Sequence, residues 1–202
     1  MGRAVGRRQV MAVDPSEVRA ALRSRLGPAR AAHCERVAVT AVALARRHGL
    51  DAAAAELAGL LHDWYREYGA AEILAEARAC GVVAADVPEE GIVPAVLHGP
   101  VAARLLPRQW PELAPAVLSA IDRHTTGDPG MTSFDCVVYV ADLIEPGHRY
   151  PGVEALRALA DRDVCAATLA AMDAGIVRLV QAGRRIDLRT VAARNALLAR
   201  GR

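Results

Sequence analysis

The chain has 202 residues and a formal net charge of +2; 53% of its residues are hydrophobic and only 3% are aromatic. This length suits one domain with a buried core, and the nearly balanced charge excludes the large basic surface that a nucleic acid duplex would need. The four cysteines are far apart in the sequence, which excludes a disulfide framework and a paired thiolate metal site.

The N-terminal residues predict neither secretion nor membrane insertion. The opening segment MGRAVGRRQV is basic but has no apolar signal core, and we expect no apolar stretch of membrane-spanning length. A cytoplasmic protein is therefore expected. Residues 1–12 are predicted to form a flexible tail, with Met11 as an alternative start, and residues 13–202 to form a single domain.

The order of apolar and capping residues predicts an all-α fold. Asp14 and Pro15 are typical of a helix start, a second helix is predicted from Pro28 to Arg47, and Asp51 is expected to cap a third helix over residues 52–68. The segment VVYVADLI has strand propensity, but its length and neighbours favour a buried helix. Further helices are predicted over 70–80, 94–106, 112–124, 132–144, 153–160, 162–182 and 189–200, with a long loop at 81–93.

Polar residues interrupt the apolar faces of several predicted helices. His33 shares one helix face with Val37, Ala41 and Leu44, which points its side chain inward. A buried carboxylate without a partner is very unfavourable, so an inward aspartate must be hydrogen-bonded, paired or metal-bound. Four histidines and two aspartates occupy such positions, namely His33, His62, Asp63, His98, His124 and Asp142.

Each of these residues also has an ordinary structural interpretation. A lone histidine on an apolar face is more often a satisfied core residue than a ligand, and the alternative for Asp142 is an ion pair with Arg149. Taken together, the imidazoles and carboxylates favour a metal centre, since they are ligands for iron, manganese, cobalt and zinc. His48 and His148 lie at predicted turns and are expected to be surface residues.

The order H…HD…H…H…D resembles the signature of the HD-domain phosphohydrolases. The sequence is most similar to the YqeK-like branch, the symmetrical diadenosine tetraphosphate hydrolases, and the resemblance spans about residues 15–200. It implies a single helical HD-domain bundle with a buried two-metal site. The matching segments include RxxH (30–33), AGLLHD (58–63), LHGPVAA (97–103), AIDRHTTGDPGM (120–131), YVADLIEP (139–146), PGVEALRALA (151–160) and ARN (193–195).

The resemblance also implies the metal ligands and the reaction. One divalent metal is implied at His33, His62, Asp63 and Asp142, and a second at His98 and His124, with Asp63 bridging the two. Iron is the metal that the resemblance implies, and manganese or cobalt would suit the same ligands. Two such cations would bind phosphate and lower the pKa of a bound water, giving a hydroxide that cleaves diadenosine tetraphosphate into two ADP.

A basic shell around the metals is implied in the same way. Arg66 stands where the family has a lysine, in a chain without any lysine, and is predicted to act in catalysis with His62 and Asp63. A solvated helix face is the alternative for Arg66 and Arg123. The residues predicted to bind substrate are Arg30, Arg66, Arg123, Thr125, Thr126 and Arg149.

Other functions stay open at this point. The family's basic residue in the helix before ADLIEP is replaced by Cys136, and Tyr65 stands where a small residue is usual, which would allow a different nucleotide or phosphate ester as substrate. A di-iron oxygenase of the HD type would use the same six ligands, and a non-catalytic module would keep a vestigial site. The expected partner is a nucleotide or dinucleoside polyphosphate, and the apolar helices would permit a homodimer.

Overall fold

The protein is an assembly of packed α-helices, as the sequence predicts. The computed structural model describes residues 13–200, among which there is no strand, and the predicted N-terminal tail lies outside the described residues. Short 3-10 turns occur at Glu89–Gly91, Pro94–Val96 and Leu106–Arg108. The helices are α1 (Pro15–Arg25), α2 (Pro28–Arg47), α3 (Ala52–Leu61), α4 (Ala70–Ala79), α5 (His98–Leu105), α6 (Pro115–Arg123), α7 (Ser133–Ile144), α8 (Val153–Ala160), α9 (Val164–Gln181) and α10 (Leu188–Arg200).

Side-chain caps set the start of several helices. Asp14 accepts a hydrogen bond from the Ser16 amide at 2.8 Å, and Asp51 accepts one from the Ala53 amide at 2.9 Å. The sequence predicts both caps, because aspartate at this position satisfies amides that have no partner inside the helix. The strand-like segment VVYVADLI lies in α7, which is buried on nearly all sides.

The third helix is about two turns shorter than predicted. Helix α3 ends at Leu61, and the chain continues in turns, with the Arg66 amide bonded to the Asp63 carbonyl at 2.9 Å. The helix predicted over 94–106 is likewise divided into the 3-10 turn at Pro94–Val96 and α5, which begins at His98. In both places the helix boundary lies next to a residue of the candidate site.

The close contact between α2 and α3 is the central packing interaction. Small residues make it possible, since a Cβ added at Gly59 would lie 2.5 Å from the Ala38 Cα. Val37, Ala38 and Ala41 on α2 are fully buried, as are Ala55 and Ala58 on α3. This contact fixes the two elements that carry His33 and His62.

Helix α9 corrects one expectation. By length and composition alone it is apolar enough to cross a membrane, with a mean hydropathy of 1.4, whereas the sequence analysis predicts no such stretch. Its buried residues, which include Ala167, Thr168 and Met172, pack in the helical assembly against α7, α8 and α10. The helix therefore forms part of the same core as its neighbours.

Substitution of Gly59 by alanine is expected to destabilise the protein by about 1–3 kcal/mol, because the added methyl group meets the α2 backbone and has no room to turn away. The free energy of unfolding in urea measures this effect. The matched control is Gly175→Ala on α9, where nothing lies within 4 Å of the added Cβ. That control should be neutral or slightly stabilising, and equal stability of the two variants would contradict the packing described here.

Candidate metal centre

Six residues from five helical elements meet at one point of the bundle. His33 comes from α2, the His62–Asp63 pair follows α3, and Asp142 lies near the end of α7. His98 begins α5 and His124 follows α6. The four imidazoles and Asp63 are buried, and the Asp142 side chain is 26% exposed. The structure thus brings together all the residues that the sequence selected as metal ligands.

Contacts at the Nδ1 atoms fix the tautomer of the four rings. Each Nδ1 faces an oxygen that can only accept, so each Nδ1 carries the proton and donates it. In a neutral ring, each Nε2 is consequently left with a lone pair. The acceptors are a Glu145 oxygen for His33 at 3.2 Å, and the carbonyls of Gly59 for His62 at 2.8 Å, Ala95 for His98 at 3.1 Å and Ile121 for His124 at 2.7 Å.

These four Nε2 lone pairs converge, and the Thr125 hydroxyl, 3.0 Å from His124 Nε2 and 3.3 Å from His98 Nε2, has one proton to donate to them. The Nε2 atoms of His98 and His124 are 3.0 Å apart, although both are acceptors in the tautomers fixed by their Nδ1 contacts. The buried Nε2 atoms of His33 and His62 have no hydrogen-bond partner among the described residues. Buried polar atoms are rarely left without a partner, and cations bound between the lone pairs would satisfy them.

Asp63 lies between two pairs of imidazoles. Its Oδ2 atom is 3.3 Å from His62 Nε2 and 3.8 Å from His33 Nε2. Its Oδ1 atom is 3.2 Å from His98 Nε2 and 3.8 Å from His124 Nε2. The two oxygens of one carboxylate therefore face two different groups of nitrogen ligands.

Asp142 completes the first of these groups. Its Oδ1 atom is 2.9 Å from His33 Nε2 and 3.7 Å from His62 Nε2. The three residues form one cluster with metal-ligand spacing, and Asp63, His98 and His124 form another. Nitrogen and carboxylate donors of this kind suit divalent transition metals, so the residues present fit the cofactor that the sequence implies.

The charges of the site also favour bound cations. Burial alone would raise the pKa of Asp63, but His62 and the neighbouring imidazoles hold it far below its ordinary value. Burial lowers the pKa of His98 to about 4, which keeps this ring neutral and its lone pair free. Burial would also lower the pKa of His62, but Asp63 raises it well above its usual value, so this position stabilises a positive charge at Nε2, from a metal ion or, without one, from a proton.

The centre opens into a cavity of about 1090 Å³. Three of the predicted substrate-binding residues line it, namely Arg30, Arg66 and Thr125. Arg30 Nη1 donates to Asp63 Oδ2 at 2.7 Å, and the Thr125 hydroxyl lies 3.0 Å from His124 Nε2. Arg66 is exposed at the cavity wall.

The other three predicted substrate-binding residues lie outside the cavity lining. Arg123 donates to Asp135 Oδ2 at 2.8 Å and to the Gly130 carbonyl at 3.0 Å, which occupies its guanidinium in a structural contact. Thr126 is buried and donates to the carbonyl of Gly127, and Arg149 is exposed. Their role in binding stays a prediction, and their positions do not favour direct contact with a ligand in the cavity.

Glu145 is a residue of the candidate site that the sequence analysis missed. Its carboxylate is 2% exposed and accepts the His33 Nδ1 proton, while Arg36 donates to both of its oxygens at 2.5 and 3.0 Å. Burial would raise the pKa of Glu145, but the Arg36 bonds and those of Gly147 and His33 bring it to about 2, so it is ionised. Its place in the segment ADLIEP was the only signal available in the sequence.

His148 was predicted to be a surface residue, and its side chain is 38% exposed. It also lines the cavity and places Nε2 3.9 Å from Glu145 Oε1, which the sequence analysis did not predict. Glu145 draws this turn toward the metal centre, because its carboxylate also accepts the Gly147 amide at 2.5 Å. A turn position in the sequence gives no indication of such a contact.

The fold and the site together define a helical protein with a buried histidine–aspartate cluster that is suited to binding divalent metal ions. The HD domain model matches residues 30–176, which include all six candidate ligands. The chain therefore belongs to the HD domain family.

Named relatives agree with this assignment. The symmetrical bis(5'-nucleosyl)-tetraphosphatase of Bacillus subtilis is 36% identical over 152 residues, which are 75% of this chain and 80% of the relative. The protein of the same name from Staphylococcus aureus is 35% identical over 68% of this chain and 70% of its own length. A protein from Clostridium acetobutylicum, described as a predicted HD superfamily hydrolase involved in NAD metabolism, superposes with a TM-score of 0.87 at 32% identity, and the match covers 94% of this chain and 100% of that protein.

Substitution of Glu145 by glutamine is expected to weaken metal binding about 10- to 100-fold, the range typical for a carboxylate that orients a ligating histidine. Both oxygens of Glu145 face donors, so the new amide NH₂ must point at one of them. Competition with a fluorescent chelator measures the affinity. Glu112→Gln is the matched control, since that side chain is exposed in the segment before α6 and is outside the cavity lining. Equal metal affinities of the two variants would show that Glu145 does not contribute to metal binding.

Proposed function

We propose that the protein is a metal-dependent hydrolase that cleaves diadenosine tetraphosphate at its central bridge and releases two ADP. The observation that carries the proposal is the convergence of four Nε2 lone pairs on the two oxygens of Asp63, at the floor of a cavity with arginines on its walls. The names of the relatives from Bacillus subtilis and Staphylococcus aureus support the same reaction for this chain.

The proposal assigns two divalent cations to the two ligand clusters. His33, His62 and Asp142 would hold one, His98 and His124 the other, and Asp63 would contribute one oxygen to each. We propose iron, because imidazole and carboxylate together suit it, with manganese and cobalt as alternatives. When bound, such cations polarise phosphoryl oxygens and lower the pKa of a coordinated water.

Arg30 is placed to act on the phosphates from within the site. One of its terminal nitrogens is committed to Asp63 at 2.7 Å, which fixes the guanidinium plane at the wall of the cavity. Its remaining N–H groups have no acceptor among residues 13–200 and can donate to a phosphate oxygen, and an arginine held in this way loses little entropy on binding. Its charge would offset the negative charge that develops on the oxygen leaving with ADP.

Arg66 and Thr125 extend this polar surface. Arg66 has no carboxylate at ion-pair distance among residues 13–200, so its guanidinium remains available for phosphate. The Thr125 hydroxyl lies 3.0 and 3.3 Å from the Nε2 atoms of His124 and His98, and it can donate to a phosphate oxygen held between them. In hydrolysis, water adds across the central P–O–P bridge and each half leaves as ADP.

The main test is product analysis. Purified protein is incubated with diadenosine tetraphosphate and with iron, manganese or cobalt, and the nucleotides are separated by ion exchange. We expect ADP as the only product. ATP with AMP would mean that the cleaved bond is not the central one, and absence of cleavage with metal-loaded protein would refute the assignment.

Replacement of Asp63 by asparagine is expected to lower kcat/KM by about a thousand-fold or more, because a neutral amide cannot present an anionic oxygen to both ligand clusters. Steady-state turnover of diadenosine tetraphosphate measures the loss, and circular dichroism checks that the variant is helical. Asp161→Asn, at an exposed ion pair with Arg47, is the control and should retain full activity. Turnover retained by the Asp63 variant would show that this carboxylate is not essential.

A further inference from the structure

A second group of arginines lies in the cavity, away from the ligand clusters. Arg178, near the end of α9, and Arg184 and Arg185, in the segment that follows, are exposed and line the same cavity as the metal centre. Within residues 13–200 none of the three has a carboxylate at ion-pair distance, whereas Arg30 and Arg36 are paired with Asp63 and Glu145. Three cationic groups on one wall without acidic partners favour an anionic ligand there.

Apolar side chains accompany these arginines. Ile176 and Leu179 lie on the same part of α9 and line the cavity, and Ile92 and Val93 line it from the segment before α5. Ile92 is almost fully buried, and the two α9 residues are half-buried. A surface that combines apolar side chains with guanidinium groups suits a nucleotide, whose base is largely apolar on its faces and whose phosphates are anionic.

The backbone holds the segment after α9 in a fixed shape. Gly183 has a φ of 60°, and the Arg184 amide bonds back to the Leu179 carbonyl at 2.9 Å, which closes the helix end. At the other end, Asp187 accepts the Arg189 amide at 2.8 Å as α10 begins. Arg185 also donates to the Glu90 carbonyl in the long loop, so this wall is joined to the loop beside the cavity.

The two arginine groups belong to different walls. Helix α9 packs on α7, α8 and α10, whereas Arg30 lies on α2 and Arg66 in the turns after α3. The ligand Asp142 lies on α7, against which α9 packs. A substrate with two identical halves, cut at its centre, needs a binding surface for a nucleoside diphosphate on each side of the metals.

We propose that Arg178, Arg184 and Arg185, with Ile176 and Leu179, form the subsite for the second nucleoside diphosphate half of the substrate. The inference rests on the proposed function and deepens it, because it assigns a wall of the cavity to the half that Arg30 and Arg66 do not hold. Guanidinium groups remote from the cleaved bond contribute to binding of the ground state and transition state alike, so their loss raises KM more than it lowers kcat.

The test compares the double variant Arg184→Ala/Arg185→Ala with the wild-type protein on two substrates. For diadenosine tetraphosphate we expect KM to rise about 10- to 100-fold, the effect of losing one or two charge-assisted hydrogen bonds, with kcat within about threefold. Bis(p-nitrophenyl) phosphate is too short to extend from the metals to these arginines, so we expect its KM and kcat to be unchanged. Arg162→Ala, at an exposed turn after α8 and outside the cavity lining, is the control and should leave both substrates unaffected.

An unchanged KM for diadenosine tetraphosphate in the double variant would overturn the subsite. An equal loss on the short diester would also overturn it, since the arginines would then act on the metal centre or the fold. A wild-type protein that cleaves the diester but not diadenosine tetraphosphate would refute the proposed function instead.

Calorimetry with ADP and manganese-loaded protein tests the subsite without turnover. The wild-type protein should bind two ADP molecules per chain, and the double variant should bind one. A single ADP per wild-type chain, or two in the variant with unchanged affinity, would contradict the inference.

Discussion

The structure depends on one electrostatic constraint, which is that four imidazole lone pairs and two carboxylates share a buried space and need positive charge between them. Each ring is held in this orientation by a donor bond from Nδ1, and for His62, His98 and His124 the acceptor is the carbonyl three residues earlier. Such a carbonyl is available in the last turn of an α-helix or 3-10 turn, because the regular hydrogen bonds of the helix then leave it without a partner. The positions of the helix ends thus help to form the candidate metal centre.

Packing and chemistry are coupled through the same residues. Gly59 lets α3 approach the backbone of α2, and its carbonyl also fixes the ring of His62. Helix α7 lies in the core and contributes Asp142, while Glu145 directly after it orients His33 and binds Arg36. The rigid core therefore positions the candidate metal ligands, and the arginines that we propose to bind phosphate lie at its edge, where they line the cavity.

Much of the fold and of the candidate site could be predicted from the sequence. Aspartate caps and apolar spacing predict most helices, and inward-facing polar residues identify all six ligands that the structure brings together, because such groups are seldom buried unless they bind a partner or a metal. The end of α3 could not be predicted, since the pattern after Leu61 is helical and the turns are held by local contacts. The pairing of Arg123 with Asp135 and the position of Arg184 depend on tertiary packing, and a one-dimensional pattern gives no signal for either.

The central claim is that Asp63 is shared between two cations. Electron paramagnetic resonance of the protein loaded anaerobically with two equivalents of manganese(II) tests it most directly, because a bridging carboxylate couples the spins of two neighbouring ions. The account predicts the spectrum of an exchange-coupled pair. A spectrum of isolated manganese(II) ions at full loading, or binding that saturates at one equivalent, would contradict it.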